Sequence, residues 1–365
     1  MFYRDTWAEI RLDALRDNVK ELIKLSDKKL FAVIKANGYG AGDYQVAKTA
    51  VEAGASYLAV SSLDEALSLR MKGIVADILV LGYTRPENVL VAKKHHITLT
   101  APSIDWVYKV IEQNITDLKI HLKIDTGMNR LGFTKLEEVE EAISLLKENY
   151  LLEGIYTHYA NSDDADGKMN DYQYHKFSSI LKQLNYSFKW IHCSNSDATV
   201  HYREEDCNAV RCGIALLGIS TFKANLKQVV SLYTKVVHIK EVEQDQPVSY
   251  GGNYRTKGKE WIATVPIGYA DGWLRANEGG IAYIEQEQAQ FVGRICMDQA
   301  MLHVPNYYPV GTVVELIGSQ ITVQEVAKRL NTIPYEILTL INDRIVRVYY
   351  DGEHVVDITN PRLDR

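Results

Sequence analysis

The sequence predicts an α/β chain with two domains: an N-terminal (β/α)8 TIM barrel over residues 1–225 and a C-terminal mostly-β domain over 226–365. Three observations carry this. Short apolar runs rich in Val, Ile, Leu and Tyr recur through the first two-thirds of the chain, as strands buried on both faces do. Amphipathic stretches separate most of them, and strands alternating with helices close into a barrel. Near residue 225 the pattern changes to longer strand-like runs.

The barrel strands are expected at 30–35, 57–61, 77–82, 97–101, 119–125, 153–158, 189–194 and 209–213. A helix starting at Asp13 places Leu15, Val19, Leu22 and Ile23 on one face. Thr134 and Glu137 have the spacing of a capping box for another, which would bury Leu136, Val139, Ile143 and Leu146. In the second domain, strands are expected at 233–243, 261–267, 290–294 and 313–317, with helix within about 322–341. Asp351-Gly352 between two β-rich runs is a hairpin turn signal.

Composition narrows the function. The chain has 365 residues, 46% hydrophobic and 24% charged, as ordinary globular proteins do. Lys and Arg total 41 against 47 Asp and Glu, a net charge of -6, which argues against a broad nucleic-acid surface but allows a local anion pocket. No apolar run approaches the roughly 18 residues of a membrane span. The charged first residues do not resemble a secretory signal, and Cys193, Cys207, Cys212 and Cys296 lack CxxC spacing. A cytoplasmic protein with reduced thiols and no metal site is expected.

In a barrel, chemistry gathers where strands end. Those positions carry Lys35, Lys123 with Asp125, His158, Ser194-Asn195-Ser196 and Arg211. A lysine at a barrel mouth is costly to desolvate, so its pKa falls and the neutral amine becomes available to a carbonyl. Gly38, Gly40 and Gly42 after Lys35, and Gly213 after the last strand, would let backbone amides approach an anion, with Ser196 donating beside them. A lysine, an anion cradle and a barrel mouth together suggest pyridoxal phosphate. The Gly38-x-Gly40-x-Gly42 spacing is not the dinucleotide fingerprint.

Ala32-Val33-Ile34-Lys35-Ala36-Asn37-Gly38-Tyr39-Gly40, residues 121–128, 153–158 and 210–215, then Pro247-Val248-Ser249-Tyr250-Gly251, residues 265–272 and 293–299, form an ordered set. Together they resemble the alanine racemase family, the barrel-type class of pyridoxal phosphate enzymes. The resemblance implies a homodimer with shared active sites and interconversion of L- and D-alanine, supplying D-alanine for peptidoglycan. It implies two bases, Lys35 and Tyr250 of the partner subunit. Lys35 would hold the cofactor; Tyr39, Ser196, Gly213 and Ile214 would bind its phosphate, with Asn195 adjoining. Arg211 would face the pyridine nitrogen, His158 the ring and Arg130 its phenolic oxygen and the substrate. Tyr269, Met297 and Asp298 would line the substrate pocket. Lys123 matches a position that is carbamylated in some relatives. Asp343 stands where some members place a phosphate-binding tyrosine; a carboxylate there would repel phosphate, and the smaller side chain would leave room for serine as an alternative substrate.

Overall fold

The computed structural model describes residues 3–364. Eight parallel strands close a barrel: Lys29–Val33, Tyr57–Val60, Ile78–Val80, Ile97–Ala101, Lys119–Lys123, Leu151–Tyr156, Trp190–His192 and Ala209–Cys212. The last pairs in parallel with the first, Phe31 opposite Arg211. Every expected barrel strand is present, each ending one or two residues early or on time, because the strand-end residues belong to the βα turns. The helix Leu12–Ser26 buries Leu15, Val19 and Leu22 fully. Its Asn18 donates to the carbonyls of Leu216 (3.0 Å) and Lys227 (2.7 Å), tying the start of the barrel to its end.

The capping box at Thr134 does not form. The helix Leu136–Leu146 begins one residue later, with Lys135 as the residue before it and no side-chain cap, although Val139, Ile143 and Leu146 are buried as expected. Capping boxes form instead at Ser62 with Glu65 and at Thr322 with Glu325.

The second unit is built on a ten-stranded sheet. Its spatial order is His238–Val242, Glu260–Val265, Ala300–Val304, Glu287–Phe291, Ile281–Ile284, Val313–Ile317, Val230–Lys235, Thr6–Arg11, Val346–Asp351 and His354–Thr359. The Asp351-Gly352 hairpin joins the last two strands, and helices span Val323–Arg329 and Pro334–Thr339. One division falls after Lys227, and the units are not two continuous segments. The described residues up to Asp13, together with Tyr39–Gly42, belong to the β unit. The cause is Thr6–Arg11, whose Ala8 and Ile10 are fully buried and which pairs antiparallel with Val230–Lys235 and parallel with Val346–Asp351.

Candidate active site

Lys35 follows the first barrel strand and opens a turn whose backbone runs left-handed. Ala36, Asn37, Gly38 and Tyr39 have φ of 54°, 53°, 61° and 54°. Each non-glycine residue there costs about 1–2 kcal/mol, so the turn must be held from outside. The Glu65 carboxylate does this. It accepts from the amides of Ala36 (2.7 Å) and Ser61 (2.6 Å) while closing the capping box of helix Leu63–Met71. Asn37 accepts from the Asp43 amide at 2.9 Å, and the Gly38 amide bonds the Ile34 carbonyl at 2.9 Å. Burial lowers the pKa of the Lys35 amine, the Arg130 charge lowers it further, and Glu65 opposes both.

The barrel core below is cationic. Arg211 is 2% exposed. It donates to the carbonyls of Thr157 (2.8 Å) and Cys193 (2.7 Å), to Nδ1 of His192 (2.6 Å) and to Nδ1 of His158 (3.0 Å). No carboxylate is among these partners. Lys123 is 3% exposed, donates to the Ile124 carbonyl at 2.6 Å, and is brought down to about 7 by burial. The Tyr156 ring lies between the two cations, 5.1 Å from the Arg211 guanidinium and 5.6 Å from the Lys123 ammonium.

His158 accepts from Arg211 at Nδ1, so its proton is on Nε2. Burial, then the charges of Arg211, Arg130, Lys123 and Lys35, hold its pKa well below the ordinary value. His158 is therefore a neutral donor at pH 7 and adds no positive charge to the site. Gln173 fixes its backbone, donating to the His158 carbonyl at 3.0 Å and to Thr126 at 3.1 Å. Asp125 is not a bridge to either cation. It accepts from the amides of Gly127 (2.9 Å) and Asn129 (3.1 Å), shaping the turn that leads to the exposed Arg130.

Ser196 is 5% exposed, and its Oγ accepts from the amides of Gly213 (3.0 Å) and Ala215 (3.3 Å), which leaves its own proton to donate. Asn195 caps the short helix Ser196–His201 through the Ala198 amide. Lys35, Lys123, Arg130, His158, Asn195, Ser196, Arg211, Gly213 and Ile214 thus all belong to the barrel unit.

The remaining expected residues lie in the β unit. Tyr39 is buried there, its ring edge-on to Tyr335 at 6.1 Å. Gly40 and Gly42 are needed for close packing rather than for an anion. A Cβ on Gly40 would meet the Leu338 carbonyl oxygen at 2.1 Å, and one on Gly42 the Tyr349 hydroxyl at 1.9 Å. Tyr250 sits on a turn between the paired strands Pro247–Val248 and Tyr254–Arg255, and is 71% exposed in the single chain. Ser249 anchors that turn by donating to the Arg294 carbonyl at 2.7 Å. Tyr269 and Met297 are also exposed, and their loops are tied through the Tyr269 amide to the Cys296 carbonyl and the Ala270 amide to that of Met297, both 3.0 Å. Asp298 is held by Arg344 at 2.6 Å. The Asp343 side chain points to solvent, 70% exposed, with its carboxylate 4.0 Å from Arg347.

Four supporting residues escaped the sequence reading: Glu65, Tyr156, Gln173 and His192. Glu65 had a usable signal, the capping-box spacing Ser62-Leu63-Asp64-Glu65 beside the first βα turn. The other three are legible only once the strands are closed.

Two family models match, described as "Alanine racemase, N-terminal domain" over residues 10–221 and "Alanine racemase, C-terminal domain" over 229–349. The chain belongs to the alanine racemase family. An alanine racemase of Geobacillus kaustophilus is 43% identical over 376 residues, covering 98% of each chain, and one of Anoxybacillus flavithermus is 44% identical over 384, covering 99% of each. The crystal structure of alanine racemase from Bacillus anthracis with bound L-Ala-P superimposes with a TM-score of 0.94 at 41% identity, covering 99% of this chain and 98% of that one.

Proposed function

We propose that this chain is an alanine racemase that uses pyridoxal phosphate and two bases on opposite faces of the α-carbon. One observation carries the reading beyond kinship: a softened Lys35 amine at the mouth of a barrel whose core cation, Arg211, bonds only carbonyls and neutral imidazoles. The donor set suits the cofactor. Lys35 offers an amine for its aldehyde, the Ser196 hydroxyl, held by the Gly213 amide, and the Ile214 amide offer donors for its phosphate, and Arg211 and Arg130 offer guanidinium groups for its ring nitrogen and phenolic oxygen. When bound, pyridoxal phosphate withdraws electrons from the amino acid's α-carbon and acidifies its proton.

The residues then divide the work. Lys35, with its pKa lowered by burial, is the group that holds or releases a proton at Nζ. Arg211 stays protonated and cannot pass a proton to the ring nitrogen, which restrains side reactions that a carboxylate there would favour. Tyr250 of the partner subunit serves the other face; the large exposure of Tyr250 in the single chain supports a role against a second copy in a homodimer. A tyrosine needs cations to act as a base at neutral pH. His158, being neutral, is not one of them. Tyr269, Met297 and Asp298 line the substrate side. The relatives favour alanine over the serine alternative.

The deciding experiment is D-alanine formation from L-alanine by the purified protein with pyridoxal phosphate, set against the same assay with L-serine. Absence of D-alanine, or a faster rate with serine, ends this reading. Tyr250→Phe should abolish racemisation in both directions while the cofactor still binds. Lys123, part-neutral near pH 7, is poised to take up carbon dioxide as a carbamate beside Arg130. With carbon-13-labelled bicarbonate, a carbamate resonance present in wild type and absent in Lys123→Met checks this.

A further inference from the structure

The hydrogen bonds of Arg211 do not end at His192. His192 Nε2 lies 3.0 Å from Nδ1 of His121, and Nε2 of His121 lies 3.8 Å from the carboxylate of Glu153. Both histidines are fully buried. Donor matching allows one arrangement. The guanidinium can only donate, so His192 Nδ1 must carry a lone pair and its proton is on Nε2. That proton faces His121 Nδ1, which must accept, so the His121 proton is also on Nε2. His121 Nε2 has no hydrogen-bond partner among the described residues, and the acidic group it faces is Glu153. Glu153 is fixed in turn by the Tyr57 hydroxyl at 2.7 Å.

Two further features show that the line is built in. A Cβ on Gly154 would lie 2.3 Å from His121 Nδ1, so only glycine leaves room for that ring. Tyr156 stacks on His192 with centroids 4.7 Å apart and planes 10° from parallel, fixing the second ring.

We propose that Arg211, His192 and His121 form one oriented hydrogen-bond relay through the barrel that ends facing Glu153, in which His121 is a positioning residue for the Arg211 guanidinium. A cation in the core without a carboxylate beside it is costly to bury. The relay ends on a carboxylate two imidazole rings away, and no carboxylate hydrogen-bonds the guanidinium near the position assigned to the cofactor's ring nitrogen. The protonation pattern does not depend on the proposed function; the catalytic consequence rests on the role given there to Arg211.

The test compares His121→Asn and His121→Leu, side chains of nearly equal size, in the full-length protein. Asn retains an oxygen acceptor close to the place of Nδ1; Leu does not. Nitrogen-15 NMR of histidine-labelled protein should show both His121 and His192 neutral with the proton on Nε2. The hydrogen-bonded His192 Nε2 proton should persist in His121→Asn and be lost in His121→Leu. In the loaded enzyme, kcat should stay within about three-fold in the Asn variant and fall about ten-fold or more in the Leu variant, with KM little changed, the scale expected when a reacting group's support is displaced. Glu153→Gln keeps an acceptor but removes the charge, and should fall between them. A proton on Nδ1 of either ring overturns the relay. So does a Leu variant equal to or better than the Asn variant, the result that packing in an apolar core would give. If wild-type protein makes no D-alanine while the resonances are as expected, the relay stands and the functional reading fails.

Discussion

Arg211 and Lys123 are two cations in a barrel core, and the structure treats them differently. The Arg211 fork reaches two carbonyls and two imidazoles at once, which a lysine ammonium cannot span. Arg211→Lys should therefore destabilise the protein by about 2 kcal/mol through buried acceptors left unpaired, read as a lower urea midpoint. Lys123 bonds a single carbonyl and yields its proton at about 7. Its unfolded counterpart titrates near 10.4. Between those values the unfolded chain holds a proton that the native chain has released, so this residue makes stability rise with pH from about 7 towards 10. Below about 7 both states are charged and the full cost of the buried ammonium is felt. Urea midpoints in carbon dioxide-free buffer should climb over this window more steeply in wild type than in Lys123→Met.

At the level of elements, two capping boxes of one sequence type do unequal work. Thr322 and Glu325 start a helix of the β unit and nothing more. Thr322→Ala should cost about 1 kcal/mol and leave racemisation unchanged. Ser62 and Glu65 start a barrel helix, but the same carboxylate also holds the amides of Ala36 and Ser61 and so braces the left-handed turn behind Lys35. Glu65→Ala should cost about 2 kcal/mol and in addition lower the Lys35 pKa, because Glu65 is the group that raises it. Titration of the Lys35 amine, followed by chemical labelling against pH, separates the two effects. An unchanged labelling profile would show that the brace acts on stability alone.

Over the whole molecule, the barrel interior concentrates neutral imidazoles. Burial first, and then neighbouring cations, keep His158 and His192 far below the ordinary histidine range, and burial lowers His121 as well. In the unfolded chain all three titrate near 6.5. As pH drops through that value the unfolded state gains protons that the native state refuses, so stability is lost on the acid side. Urea midpoints measured from pH 7 to 5 should fall steeply, and His121→Asn should make the slope shallower by removing one site. The net charge of -6 coexists with this cationic interior because the acidic residues lie mainly on the surface, while Arg211 and Lys123 are 2% and 3% exposed.

The sequence by itself determined the barrel, all eight of its strands, the β-rich character of the rest, and the lysine, histidine and arginine at the strand ends. Fully buried parallel strands must be apolar along their length, so a polar residue that closes such a run stands out without coordinates. The hairpin at Asp351-Gly352 was legible because the turn demands those residue types. Other features required the tertiary structure. Thr6–Arg11 joins the β unit because its partners are Val230–Lys235 and Val346–Asp351, more than two hundred positions along the chain. Gly40 and Gly42 read as an anion cradle until their true neighbours, Leu338 and Tyr349, are in place. His192, His121 and Glu153 read as unremarkable strand residues until barrel closure aligns them behind Arg211. Hydrophobic period and turn chemistry are local and leave their mark in the order of residues. Pairing, close approach and hydrogen-bond alignment join residues far apart in the chain, and only the folded structure decides them.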